Sequence, residues 1–359
     1  MKLLVLPGDG IGPEITDATL TVLRGIEARL RLGLEFELAE IGFAALEKFG
    51  TTLPDDVLGR ARRADGVLLG PISHLDYPPR DQGGVNVSAA FRVKLDLFAN
   101  LRPARTWSGV PHRGTEMDLV IVRECTEGFY PDRNMVAGTG EFMPTEDLAL
   151  SVRKITARAC RRIAEVAFAL AAKRRRKVTA VHKANNFILT DGLFLREVRE
   201  VARAFPDVEL EEVIVDAMAA LLVRDAARFD VIVSTNFYSD ILSDLASELS
   251  GSLGLAGSIN AGESLVAAQA QHGSAPDIAG RDQANPTSLV LSAAMMLDWL
   301  GEHRGIEPAR AAARAIERAV ERVLSNDATR TADLGGSLGT RAFAAELCRA
   351  LELTILDGD

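Results

Sequence analysis

A chain of 359 residues with 47% hydrophobic and 25% charged side chains has the makeup of a soluble globular protein and the length for one large or two medium domains. Its net charge of −9 and pI near 5.3 argue against a general nucleic-acid-binding or membrane-surface role. Cys125, Cys160 and Cys348 cannot all pair and lack CxxC spacing, no run of about 18 apolar residues exists to span a membrane, and Leu3–Leu6 is too short for a signal-peptide core, so the expected setting is the cytoplasm.

Leu3 to Leu6 reads as a buried strand, Pro7 to Gly12 as a glycine-rich turn, and Pro13 as the first residue of a helix carrying Ile15, Thr19, Val22, Leu23, Ile26 and Leu30 at helical spacing. Strand, glycine turn and helix invite a Rossmann reading, but Gly8-x-Gly10-x-Gly12 is followed by Pro13 and lacks the fingerprint's third glycine, so that reading is rejected. Asp65 to Gly70 is another strand running into a turn, and the Pro- and Gly-rich stretch 72–84 is a loop. Over Val87 to Pro103 helical spacing puts Ser88 and Arg92 on one face. Leu119 to Val122 is a strand that ends at Arg123. Arg92, Arg102 and Arg123 thus stand at the ends of elements, where a guanidinium fork can bind a carboxylate, although a single arginine is most often a surface residue.

Residues 134–147 show no periodicity, and Leu148 to Leu170 reads as one long helix with Ile155, Ala159, Ile163 and Val166 on its apolar face. The basic run Lys173 to Lys177 is read as a solvated helix C-terminus. Val178 to Val181 is a strand leading to Lys183, Asn185 and Asn186. A lysine that ends a buried strand and enters a cleft loses its proton more easily, whereas the plainer reading is a surface lysine. After a helix over 193–205, Val213 to Val215 is a strand ending at Asp216, and Val231 to Val233 is another, turning through Asn236 to Ser239 into a helix that Asp240 opens. Asp240 and Asp244 then share one helix face. Two like charges there call for a cation between them, and a hard divalent ion prefers carboxylate oxygen. The spacing alone is equally that of a solvated face with a capping Asp. Residues 250–262 read as a crossing back to the first domain, 272–286 as a loop of small residues, and Leu289–Leu300 and Pro308–Leu324 as helices.

The run Asn236-Phe237-Tyr238-Ser239-Asp240-Ile241-Leu242-Ser243-Asp244-Leu245 resembles the metal-site motif N-[LI]-[YF]-G-D-I-L-S-D-L of the β-decarboxylating dehydrogenases, the isocitrate/isopropylmalate dehydrogenase family, with Ser239 in place of the usual glycine. The resemblance runs nearly end to end, from Gly8-Asp9-Gly10-Ile11-Gly12-Pro13-Glu14 to Asp333-Leu334-Gly335-Gly336. It implies the two-domain α/β fold of that family: residues 1–100 plus 254–359 as the large cofactor-binding domain, and 101–253 as an inserted small domain with the dimer interface and, around 134–147, an intersubunit arm. It implies a homodimer with shared active sites, acting on a small hydroxy acid with NAD and Mg²⁺ or Mn²⁺. Arg92, Arg102 and Arg123 would hold substrate carboxylates, Tyr130 would protonate the enol, and Lys183 would transfer a proton with the help of Asp216. Asp216, Asp240 and Asp244 would hold the metal, Lys183 and Asp216 reaching across to the partner's site. Ile11 and Asn185 would lie beside the nicotinamide, and His272, Gly273, Ser274, Ala275, Asp277, Ile278 and Asn285 along the adenosine. Gln269-Ala270-Gln271 departs from a common Glu-Pro-Val. A non-catalytic regulatory subunit of the same family is the rival reading. It would be expected to lack some of Tyr130, Lys183, Asp216, Asp240 and Asp244, and all are present.

Two finer expectations follow. Asp277 and Ile278 stand where NADP-using relatives tend to carry lysine and tyrosine, and a carboxylate would repel a 2′-phosphate, so NAD is expected. Asn86-Val87-Ser88 places the residue types of the isocitrate enzymes' Ser-x-Asn pair in reverse order, and Asn186 replaces a usual Val or Ile. A polar substituent on C3, as in isocitrate or homoisocitrate, is therefore expected ahead of 3-isopropylmalate, with tartrate or malate also open. If Asn86 merely caps the helix that starts there, this argument for a polar arm weakens.

Overall fold

The computed structural model describes residues 1–136 and 138–356. The chain forms two compact units: Met1–Leu95, Trp107–Pro111 and the chain from Gly251 onward make the first, and Asp96–Thr106 with His112–Ser250 make the second.

The first unit opens with β1 (Lys2–Leu6), α1 (Gly12–Leu30), β2 (Glu35–Leu38), α2 (Phe43–Phe49), α3 (Asp55–Arg63), β3 (Gly66–Leu69) and α4 (Val87–Lys94). The second contains β4 (Ala99–Arg105), β5 (Asp118–Glu124), β6 (Glu141–Thr145), β7 (Leu148–Ser151), α5 (Ala157–Ala172), β8 (Lys177–His182), α6 (Thr190–Ala202), β9 (Glu209–Ile214), α7 (Val215–Asp225), β10 (Val231–Ser234) and α8 (Asn236–Ser250). The chain returns to the first unit with β11 (Ile259–Ala261), β12 (Val266–Gln269), α9 (Thr287–Arg304), α10 (Glu307–Leu324) and α11 (Thr340–Leu356).

Strands of the first unit lie in the order β2-β1-β3-β12-β11, parallel except for the β11–β12 pair. Those of the second lie in the order β4-β5-β10-β8-β9, with β4 antiparallel to β5 and the others parallel. Parallel strands are covered on both faces, and the uninterrupted burial of β3 and β10 reflects that. In the second unit the two-residue alternation divides the core. Val120, Val122, Val231 and Val233 pack with Ile163, Phe168, Phe194 and Val198 of α5 and α6, whereas Leu119, Ile121 and Ile232 pack with Met218, Leu222, Leu242 and Ala246 of α7 and α8.

Several sequence expectations change. The chain passes to the second unit at Asp96, not after residue 100, because all of β4 is laddered to β5. The helix expected from Leu148 begins only at Ala157, where Thr156 caps the Ala159 N–H at 3.2 Å. Leu148, Leu150 and Val152 recur with period two, and β7 instead makes an exposed antiparallel hairpin with β6. Asp240 does not open its helix: α8 starts at Asn236, so Ser239 lies inside it, where no turn glycine is needed. Asp216 is in the first turn of α7, past the strand end at Ile214. The basic run after α5 is not merely solvated, because Arg174 Nε and the Arg175 N–H both hold the buried Asp230 carboxylate, at 2.8 and 2.9 Å.

Candidate active site

In the second unit Arg102, Arg123, Tyr130, Asp240 and Asp244 converge. Arg123, at the C-terminal end of β5, is 2% exposed and spends its Nε on Asn236 Oδ1 at 2.8 Å while Nη1 donates to Asp240 Oδ1. Arg102, on β4, donates from Nε to Asn100 Oδ1 at 2.7 Å and from Nη1 to Ser243 Oγ at 2.7 Å, Asp240 Oδ1 at 3.2 Å and Asp244 Oδ1 at 3.3 Å. Burial, and next the neighbouring Arg123 charge, lower the Arg102 pKa to about 10, which leaves it cationic at neutral pH. The Tyr130 hydroxyl donates to the other Asp240 oxygen at 2.5 Å, and burial, with Asp240 opposing its ionisation, pushes the phenol up to about 12. Tyr130 therefore keeps its proton.

The helical spacing makes both Asp240 and Asp244 bond one nitrogen of Arg102. Two carboxylates that converge on one cationic point, both partly open to solvent, suit a hard divalent cation. Asp216 does not join them within the chain. Its carboxylate is 2.5 Å from Lys183 Nζ, whose hydrogen bond holds it below the usual carboxylate range. Among the described residues no group of at least three His, Cys, Asp or Glu side chains is arranged to hold a metal.

In the first unit Arg92, on α4, donates from Nε to Asn260 Oδ1 at 2.9 Å. Asn260 Nδ2 donates to Gln269 Oε1 at 3.3 Å, and the same oxygen accepts from Ser88 Oγ at 3.0 Å. Asn86 accepts the Ala89 N–H at 3.0 Å and is the N-cap of α4. The two residues read as a polar recognition pair are thus engaged inside the unit. Asn185 and Asn186 are exposed in the second unit.

Of the expected cofactor residues, Ile11 and Ser274 meet at the turn after β1. The Ile11 N–H donates to the Ser274 carbonyl at 2.8 Å, and the Ser73 and Ser274 hydroxyls are 2.7 Å apart. Gly10 has φ +58°, and a Cβ there would stand 2.0 Å from the Ser274 carbonyl oxygen, so the close approach of these loops requires glycine. Asp9, which the sequence reading did not single out, accepts the Phe43 N–H at 2.8 Å, the Ser73 N–H at 3.0 Å and the Tyr77 hydroxyl. A carboxylate between two positive-φ glycines was the signal for this anchor. His272 Nδ1 donates to the Gly273 carbonyl at 2.9 Å, its Nε2 is buried with no protein partner, and burial lowers its pKa. Ala275 adopts φ +36°, while Gly273 and Asp277 are exposed and Ile278 is half-buried. Asn285 is spent locally, its Nδ2 on Asp333 at 3.0 Å and its Oδ1 on the Thr287 N–H at 3.0 Å.

A family model described as isocitrate/isopropylmalate dehydrogenase matches residues 2–350. The chain belongs to that family. It is 41% identical to the 3-isopropylmalate dehydrogenase of Methanothermobacter thermautotrophicus, over 98% of this chain and 99% of that protein. It is 42% identical to the isocitrate/homoisocitrate dehydrogenase of Thermus thermophilus, over 98% of each. The crystal structure of isocitrate dehydrogenase from Methylococcus capsulatus matches with a TM-score of 0.84 at 38% identity, covering 98% of this chain and 99% of that one. The fold is the α/β fold of the family, whose members are decarboxylating dehydrogenases of hydroxy acids. The relatives named 3-isopropylmalate dehydrogenase support the alternative of 3-isopropylmalate better than the expected isocitrate-like substrate.

Proposed function

We propose that the chain oxidises and decarboxylates a 3-substituted malate with NAD⁺ and a divalent cation, and that 3-isopropylmalate is favoured over isocitrate or homoisocitrate. The observation that carries the substrate choice is the internal engagement of Asn86 and Ser88, one on its helix N-terminus and the other on Gln269. Neither is left to recognise a third carboxylate without stranding a partner, at about 1–3 kcal/mol.

In this reading Arg92, Arg102 and Arg123 bind the carboxylates of the malate. Asp240 and Asp244, with Asp216 of the partner subunit, would hold Mg²⁺ or Mn²⁺. A divalent cation there would supply acidity to the substrate hydroxyl and stabilise the enolate charge. Lys183, helped by Asp216 at 2.5 Å, would accept the C2 hydroxyl proton on its unprotonated amine, and NAD⁺, when bound, would supply the acceptor for the C2 hydride. Loss of the β-carboxylate as CO₂ would leave an enolate, which Tyr130 would protonate on carbon. Its raised pKa keeps that proton available. Asp277 would accept bonds from the adenosine ribose hydroxyls and repel a 2′-phosphate. A homodimer in the cytoplasm, with Lys183 and Asp216 serving the neighbouring subunit's site, completes the reading.

The test is kcat/KM for 3-isopropylmalate, isocitrate, homoisocitrate, tartrate and malate side by side, with NAD⁺ and Mn²⁺, following NADH. A lead of about tenfold or more for 3-isopropylmalate, equal to about 1.4 kcal/mol, is expected. Isocitrate or homoisocitrate equal to it would return the polar-arm reading, which the 42% identical Thermus thermophilus relative favours. NADH formation from none of the five would leave the regulatory-subunit reading.

A further inference from the structure

Arg153 follows the β6–β7 hairpin and is buried beside a carboxylate that is itself fully buried: its Nη1 lies 2.5 Å from Asp191 Oδ1, at side-chain exposures of 5% and 0%. Nη1 also donates to Thr190 Oγ1 at 3.1 Å and Nη2 to Thr235 Oγ1 at 3.0 Å. Three rings surround the guanidinium, with centroids 5.2 Å (Phe129), 5.2 Å (Phe187) and 5.0 Å (Tyr238) from its carbon. Their electron-rich faces take over part of the role of water around a buried cation. The second Asp191 oxygen accepts the backbone N–H of Lys183 at 2.5 Å. The Lys183 carbonyl accepts the Asn186 and Phe187 N–H groups at 3.0 and 2.9 Å, and the Phe187 carbonyl accepts the Asp191 N–H at 3.0 Å. The main chain at Lys183 is therefore held on both sides, by a buried carboxylate at its N–H and by a tight turn at its carbonyl.

A buried ion pair is a poor way to gain stability, since apolar residues of similar volume commonly do as well or better. What this pair supplies that an apolar pair would not is a fixed acceptor for the Lys183 N–H. We propose that Asp191, itself held by Arg153, is a positioning residue for Lys183, fixing the backbone from which its amine meets Asp216 at 2.5 Å. The inference deepens the proposed function and rests on its reading of Lys183 as the proton-transfer group.

The test is the double variant Asp191→Leu/Arg153→Met, which replaces the pair with apolar side chains, assayed in the full chain beside Lys183→Met. The double variant is expected to melt close to the parent. Its kcat with 3-isopropylmalate should fall by about tenfold or more while KM stays within about threefold, the pattern of a misplaced reacting group rather than lost binding. A second readout needs no turnover: the rate of Lys183 acylation at one pH, read by mass spectrometry against Lys48. It should rise about threefold or more, because an unanchored lysine spends more time away from its partner. Parental kcat together with parental labelling would overturn the proposal and leave the pair a structural one. Turnover retained by Lys183→Met would instead overturn the proton-transfer reading, and the labelling arm would still decide whether Asp191 holds that lysine. If the double variant does not fold, the smaller Asp191→Ala/Arg153→Met, which likewise removes the acceptor for the Lys183 N–H, is carried through both measurements with the same expected and overturning results.

Discussion

Asp240 has 33% side-chain exposure, while the two arginines that bond it are far more buried, at 8% and 2%. The helical spacing of Asp240 and Asp244 was legible in the sequence, but their pairing with Arg102 and Arg123 was not, because those arginines arrive from strands more than a hundred residues away. Spacing alone predicts that Asp240→Asn spares the fold. The pairing predicts otherwise: the variant should lose turnover and also about 1–3 kcal/mol of stability in urea, because Arg123 stays buried with less compensation. Excess chelator should stop NADH formation by the parent chain, and undiminished turnover in chelator would sink the metal reading. A few residues away, Glu127 accepts the Thr156 N–H and hydroxyl at 2.6 and 3.0 Å, and burial first, then the nearby Glu124, raise its pKa from 4.5 to about 7. The folded chain thus holds a proton there that the unfolded chain releases. The stability tied to this group is full below about pH 4.5, falls as pH rises through that window and is lost above about pH 7, a swing of up to about 3 kcal/mol. Glu127→Gln should therefore gain stability relative to the parent between pH 5 and pH 8. Urea midpoints at the two pH values check this, and an equal loss at both would refute it.

Elements with a strong, uninterrupted pattern were the legible ones. The Ile15, Thr19, Val22, Leu23, Ile26 series became the buried face of α1, and the short β-branched run at Val231 became the fully buried β10. The hairpin β6–β7 was misread because its apolar residues run straight into those of α5, and one continuous apolar tally hides the change from period two to period 3.6 at Thr156. The capping threonine was the available signal. β4 went unread for a related reason: Ala99 to Arg105 follows α4 with only a few residues between, and Pro103 argues against a strand when no partner is known. For the site, residue identities came through and their partners did not. Asn86 was named for its polarity and, alternatively, as a cap of the helix that starts there, and the Ala89 N–H bonded to it decides for the cap. Arg153 and Asp191, at 5% and 0% exposure, gave no signal at all, since nothing in a sequence distinguishes a buried pair from two surface charges.

At the scale of the whole molecule, the three carboxylates assigned to one cation do not meet within a single chain: Asp240 and Asp244 share an arginine, while Asp216 is taken up by Lys183. The second unit also leaves apolar side chains uncovered, with Phe142 and Met143 of the hairpin 46% and 63% exposed and Ile188 and Leu189, close after Lys183, 73% and 85% exposed. Such residues suit a protein surface that is covered by a second copy. If Lys183 and Asp216 of one subunit serve the Asp240 and Asp244 of the other, two inactive variants should rescue each other. A chain carrying Lys183→Met keeps its own aspartates, and a chain carrying Asp240→Asn keeps its own lysine. A dimer with one of each therefore has one site with both parts intact and one site with both lost. Random assortment makes half of the dimers mixed, so co-expression in equal amounts should recover about one quarter of the parental turnover, with a two-fold symmetric dimer assumed. Each variant alone should remain inactive, and size-exclusion chromatography should show both still assembling. If Lys183 acts on the Asp240 of its own chain, every mixed dimer carries two broken sites and the mixture stays inactive, which would place the proton transfer within one subunit and remove the case for a shared site.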